Sequence, residues 1–151
     1  MEIIYRPMTT PTHYQWLKIL NHKKVRKHLI PHPQFDELLL QQWISGKVET
    51  DSKPGCRIRA IMCNQQLAGW CGIQEDAGEY ELAVVVHPHF IGVGLQTYKE
   101  LMKWSKDFGH RQVLVHFLHT RPLYRFLQKR AISVRHRQLY GQQFTSYTLA
   151  V

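Results

Sequence analysis

The sequence predicts one mixed α/β domain: a mostly antiparallel sheet of six to seven strands holding one parallel pair, with helices on both faces. Three observations predict it. The 151 residues are 44% hydrophobic and include four Trp, enough to close one core. Short apolar runs alternate with amphipathic stretches, as strands packed under helices do. Finally, "ELAVVV" leads through a helical pattern to "QVLVHFL". A strand–helix–strand crossover of that kind makes two neighbouring strands parallel.

The elements follow in order. "EIIYRPM" reads as an opening strand. In "TPTHYQWLKIL" Thr10 suits the N-cap and Pro11 the first helical position, with Tyr14, Leu17, Leu20 and Trp16 as the inward stripe. The basic "NHKKVRKHLIPHPQF" is interrupted by Pro31 and Pro33. Asp36 caps a second helix, "ELLLQQWIS", for which Gly46 is the expected exit, and "KVETDSKPG" reads as a surface loop. "CRIRAIMC" and "QLAGWCGIQ" form a hairpin about "NQQ", and "EDAG" turns into "EYELAVVV". A helix from about Leu95 is expected to bury Leu95, Tyr98, Leu101, Met102, Trp104 and Phe108 and to stop at Gly109. The strand "QVLVHFLH", the short helix "RPLYRFLQKR" and a closing hairpin about Gly141 complete the domain, residues 1–151.

Composition narrows the function classes. The early acid in "MEIIYRPM" and the lack of a long apolar run argue against a secretory signal or a membrane span. Cys56, Cys63 and Cys71 are odd in number and lack CxxC spacing, which points to reduced thiols and a cytoplasmic setting. Twenty Lys and Arg against eleven Asp and Glu give a formal net charge of +9. The excess is clustered: "HKKVRKH" spans His22–His28, and no acid follows Asp107 while Arg121, Arg125, Lys129, Arg130, Arg135 and Arg137 do. Such fields attract phosphates, polyanions or acidic protein surfaces.

The densest chemical signal is "VVVHPHFIGVGL". A helix opening there leaves its first amides without partners at the positive end of the dipole, and Gly92 and Gly94 let a ligand approach the main chain. Phosphate or pyrophosphate suits such a cradle. Neither GxxxxGK[ST] nor the full GxGxxG is present. His87 and His89 supply at most two metal ligands, with no third at a recognised spacing, so no metal site is expected.

The same stretch resembles the acetyl-CoA pyrophosphate loop of the GNAT superfamily of N-acetyltransferases, V-x-P-x-aromatic-[QR]-G-x-G-aliphatic-[GA]. Val86, Pro88, Phe90, Gly92, Gly94 and Leu95 match, while Ile91 and Gln96 depart from it. "LNHKKVRKHLIPHPQFDELLLQQWIS" is similar to the two-helix entry of members that modify protein N-termini and small amines, and "LYRFLQ" resembles the family's terminal L-Y motif. The resemblance implies a GNAT-like fold in which the parallel strands splay apart, and transfer of acetyl from acetyl-CoA to a primary amine. It implies that the backbone of Val84, Val85 and Val86 holds pantetheine, and that amides of Gly92, Val93, Gly94, Leu95, Gln96 and Thr97 hold the pyrophosphate. His116 and Glu81 become alternative general bases, with Glu79 a weaker third, and ordered water remains an option. Tyr124 becomes the general acid, with His119 as substitute, and Arg125 and Arg130 become the candidates to meet the coenzyme's 3′-phosphate.

In that fold the acceptor lies between the first helices and the closing hairpin, here the two basic regions. An acidic or phosphate-bearing amine suits them. Two other classes fit the same residues: a basic module binding nucleic acid or the ribosome, hinted at by Tyr140 and Phe144 among the cations, and a coenzyme A sensor without catalysis. A homodimer is among the assemblies that the resemblance implies.

Overall fold

The computed structural model describes residues 1–151. Seven strands, β1 (Ile3–Arg6), β2 (Arg57–Cys63), β3 (Gln66–Asp76), β4 (Glu79–Val86), β5 (Gln112–Leu118), β6 (Ala131–Leu139) and β7 (Gln142–Ala150), form one sheet in the order β1-β2-β3-β4-β5-β7-β6. Every pairing is antiparallel except β4 with β5. The helices are α1 (His13–Leu20), α2 (Lys23–Arg26), α3 (Glu37–Asp51), α4 (Val93–Asp107) and α5 (Arg125–Arg130). None is long and apolar enough to cross a membrane.

Strand alternation builds a core on each face of the sheet. On one face, Val93, Leu101 and Trp104 of α4 pack on Leu82, Val113, Val115 and Tyr147. On the other, Trp16, Ile19 and Leu20 of α1 and Leu40 and Ile44 of α3 cover Ile58, Ala60 and Trp70. Helices on both faces of a largely antiparallel sheet with one parallel pair are therefore observed.

The hairpins obey local chemistry. Two-residue turns of type I′ need positive φ at both central positions, and such pairs occur at Asn64 and Gln65 (49° and 68°), Ala77 and Gly78 (52° and 81°), and Tyr140 and Gly141 (51° and 73°). Gln65 pays a steric penalty that glycine would avoid. We expect Gln65→Gly to stabilise the domain by about 1 kcal/mol, read as a higher urea midpoint at unchanged slope.

Several boundaries and faces differ from the sequence expectation. Thr12, not Thr10, caps α1, in a reciprocal capping box with Gln15. That shift turns Tyr14 outward, at 75% exposure, and makes Trp16, Ile19 and Leu20 the buried stripe. Asp36 caps α3 as expected, its carboxylate accepting from the Leu39 amide at 2.8 Å. The helix does not end at Gly46, however, and residues 47–51 are helix rather than loop. Gly46 keeps ordinary helical φ, and the far end is clamped to β2: Asp51 accepts from the Ile58 amide at 2.7 Å and from Arg59 Nη1 at 2.6 Å. Tertiary contacts thus override a glycine that carries only a weak stop preference. In "HKKVRKH", His22 caps the four-residue α2, which the sequence reading did not include.

α4 begins two residues earlier than expected, at Val93. Its inward stripe is Val93, Thr97, Leu101, Trp104 and Ser105, so Leu95 (50% exposed) and Phe108 (36%) lie outside it. The two polar members are satisfied: Thr97 Oγ1 bonds Tyr5 Oη at 3.2 Å and Ser105 donates to the Leu101 carbonyl at 2.8 Å. Gly109, with φ of 82°, terminates the helix as expected. The three cysteines are buried and unpaired.

Candidate active site

The parallel pair sets the site's geometry. β4 and β5 are in register only at Glu81↔Leu114 and Leu82↔Val115. Beyond that they part, while Val84–Val86 stay bonded to β3 on the other side and His116–Leu118 to β7. The His87 amide donates to the Ala68 carbonyl at 2.8 Å. Antiparallel alternation therefore turns the peptide groups of Val85 toward β3 and those of Val84 and Val86 toward the opening. Two of the three valines present main-chain partners to the cleft, and Val85 does not.

The loop after β4 ends at Gly92, which adopts the left-handed region (φ 84°) as N-cap of α4 and offers no side-chain cap. The first amide to donate within the helix is that of Gln96, to Gly92 O at a long 3.3 Å. Those of Val93, Gly94 and Leu95 precede any intrahelical acceptor. A Cβ at Gly94 would meet nothing within 4 Å, so the fold itself does not require glycine there and the space above the helix start is open. Gln96 and Thr97 lie past the free donors, and the Thr97 side chain is occupied by Tyr5. Ile91 is 86% exposed beside the cradle.

Glu81 and His116, separate alternatives in the sequence, meet at the apex of the splay. Glu81 Oε2 lies 3.4 Å from His116 Nε2, and His116 Nδ1 lies 2.6 Å from Ser146 Oγ on β7. Burial, then the Arg137 guanidinium, hold His116 below the usual imidazole range, against the pull of Glu79 and Asp76. Burial and Asp76 raise the Glu81 carboxyl, and Lys47 and Gln74 oppose them. Lys47 donates to Gln74 Oε1 at 2.6 Å, Gln74 donates to Glu81 Oε1 at 3.2 Å, and the ammonium sits 4.2 Å over the Trp70 ring. Burial brings that lysine down to about 8. Glu79 instead faces Arg137 at 3.7 Å beside the β3–β4 turn.

Tyr124 caps α5 rather than lying within it. Its ring stacks on Phe117 (centroids 4.8 Å), its hydroxyl accepts from Arg121 Nη1 at 2.8 Å, and its amide donates to Tyr147 Oη at 3.2 Å. Phe117 belongs to the α4 face, so Tyr124 and His116 flank β5 from opposite sides. His119 is exposed, as are Arg125 and Arg130. The first basic region reaches the edge of the second: His28 Nδ1 and Thr120 Oγ1 are 2.9 Å apart, next to Arg121.

Sequence reasoning missed Lys47, Gln74, Arg121 and Ser146. Arg121 had a visible signal, three residues before Tyr124; the others come together only through sheet register.

This architecture, with its splayed parallel pair and glycine-led helix, is the GNAT acetyltransferase fold. The chain superposes on a Bordetella pertussis protein assigned to the GnaT family of acetyltransferases with a TM-score of 0.73 at 14% identity, over 98% of this chain and 95% of that one. It is likewise similar to the spermidine N-acetyltransferase of Vibrio cholerae, solved with CoA and spermine (TM-score 0.71, 11% identity, 98% and 95% covered). A third similar structure is the Salmonella typhimurium acetyl transferase that modifies the N-terminal serine of ribosomal protein L7/L12 (0.71, 8%, 99% and 94%). No family model matches the sequence, and no curated protein does. At these identities the likeness establishes the fold.

Proposed function

We propose that this protein is an acetyl-CoA-dependent N-acetyltransferase acting on a primary amine. One observation carries the reading: the opening between β4 and β5 ends at a helix start whose amides are free and whose Gly94 has open space above it. A pyrophosphate needs such donors, and an extended amide-bearing arm needs the unpaired edge of Val84 and Val86. Bound there, the coenzyme supplies the activated acetyl group as a thioester.

The chain's own residues then divide the work. We assign His116 the tautomer in which Nδ1–H donates to Ser146 Oγ, so that Nε2 has its lone pair free and an incoming ammonium bridges it to Glu81. An acceptor ammonium entering there meets a counter-charge in Glu81 and a proton acceptor in His116. The deprotonated amine forms the new N–C bond as the C–S bond breaks, and Tyr124, oriented by Arg121, gives its proton to the departing sulfur. Base and acid on opposite sides of β5 match amine and coenzyme entering from opposite sides.

Charge selects among acceptors. The basic surface where His28 meets Thr120 beside Arg121, on a chain of net charge +9, repels polycationic amines. It favours an amine on an acidic or phosphate-bearing molecule, such as the N-terminus of an acidic peptide.

Acetyl-CoA at a hundredfold excess over its Kd is expected to raise Tm by roughly 5–10 °C. Gly94→Glu, placing a carboxylate in the cradle, is expected to erase the shift while leaving the unliganded Tm within about 2 °C. A wild-type chain indifferent to acetyl-CoA would remove the enzyme and sensor readings together and leave nucleic acid as the partner to test.

A further inference from the structure

Against α1, a cavity of about 390 Å³ lies between that helix, the β2–β3 turn and the loop that joins β4 to the glycine cradle. Its charged and titratable lining holds no carboxylate: Tyr14, Lys18 and His22 come from α1 and its exit, and His87 and His89 from the loop. The His22 and His87 rings meet edge to face with centroids 4.2 Å apart. We infer that this cavity is a binding site for a small oxyanion, a carboxylate or a phosphate, held by His22, His87 and Lys18.

The tautomers decide the chemistry. His22 Nδ1 accepts the Lys24 amide at 3.2 Å, and His87 Nδ1 accepts the His89 amide at 3.0 Å. A ring nitrogen that accepts carries no proton, so each neutral imidazole bears its hydrogen on Nε2. Both rings therefore present N–H donors. A metal would need the lone pair that this arrangement removes, whereas an oxyanion needs donors and positive charge.

Electrostatics agree. Burial holds His87 below the ordinary imidazole range, and His22, His89, Lys24 and Lys18 add like-charge repulsion from α1, α2 and the loop. An anion among them relieves that repulsion, so binding and protonation of His87 reinforce each other. Affinity strengthens as pH falls. The Gln65 and Gln66 amides at the rim add uncharged polar groups, and Phe90 an apolar wall, leaving room for a short organic acid as well as phosphate.

The test titrates the protein with inorganic phosphate, and separately with succinate, following the histidine ring signals by NMR. The expected result is saturable movement of the His22 and His87 signals, with the His87 midpoint raised by about one unit at saturation. Succinate affinity should fall several-fold from pH 6 to pH 8, within the tenfold limit that a one-unit midpoint shift sets, and Lys18→Met with His22→Phe should weaken it by about tenfold, with the variant's Tm checked first. The pH dependence needs no variant, so a misfolded mutant would not shelter the idea. No saturable response to either anion, or a succinate response independent of pH, overturns it. So does a response abolished by saturating acetyl-CoA, which would make the anion a mimic of the coenzyme's own phosphates.

Discussion

Replacing His116 with alanine is expected to lower the turnover of acetyl transfer by about a hundredfold or more, with the KM for acetyl-CoA within about twofold of wild type. In the proposed mechanism the imidazole takes the acceptor's proton, whereas the coenzyme would rest on main-chain groups of Val84, Val86 and the α4 start. The pH profile gives the sign. The working form of His116 is neutral, and its midpoint lies below the ordinary value because burial and Arg137 disfavour the imidazolium. The rate should thus rise through an acid limb centred below about pH 6.5, and that limb should vanish in the alanine variant. The same depression stabilises the fold above the unfolded midpoint, and that contribution is lost as pH falls through the folded one. Glu81→Gln should keep the fold but weaken acceptor binding, since the ammonium loses its counter-charge 3.4 Å from the imidazole. Turnover of the alanine variant within about threefold of wild type would transfer the base role to Glu81 or to water.

Trp16→Ala should cost about 3–5 kcal/mol, the largest stability loss we expect from a single core truncation. The side chain is fully buried, its indole donates to the Met8 carbonyl at 3.0 Å, and it meets Trp43 edge to face at 5.5 Å. Trp43 in turn contacts Trp70 and Phe35, so this one residue supports the whole α1–α3 face of the sheet. Against a typical domain stability of about 5–15 kcal/mol, the variant should melt far below wild type. Trp16→Phe should recover part of the loss by refilling the volume without the indole's hydrogen bond. A urea midpoint for the alanine variant close to wild type would mean that α1 contributes little to the cooperative unit.

The strands and hairpins were legible because their signals are local: alternating Val and Ile runs, and turn residues at Asn64, Gly78 and Gly141. Helix faces were less so. Tyr14 and Leu95 are apolar enough to read as buried, but which face a short helix turns inward depends on its first residue, and the caps at Thr12 and Gly92 lie two residues from the most suggestive letters. The glycine cradle could be read because a main-chain site leaves a glycine signature. The Glu81–His116 pair could only be read as two alternatives, since 35 positions separate them and strand register alone brings them together. Lys47 was hidden twice: the expected end at Gly46 placed it in a loop, and nothing in one sequence tells a buried lysine from a solvated one.

The sheet ends on one side at β6, paired only with β7 and carrying Arg135, His136 and Arg137 in succession along its open border. A bare strand of nine residues with Ile132 and Val134 exposed is a template on which copies could stack into insoluble ladders. Arg135, exposed on that strand, sets like charge against like charge when identical copies approach edge to edge, so this part of the basic cluster also acts as a guard against aggregation.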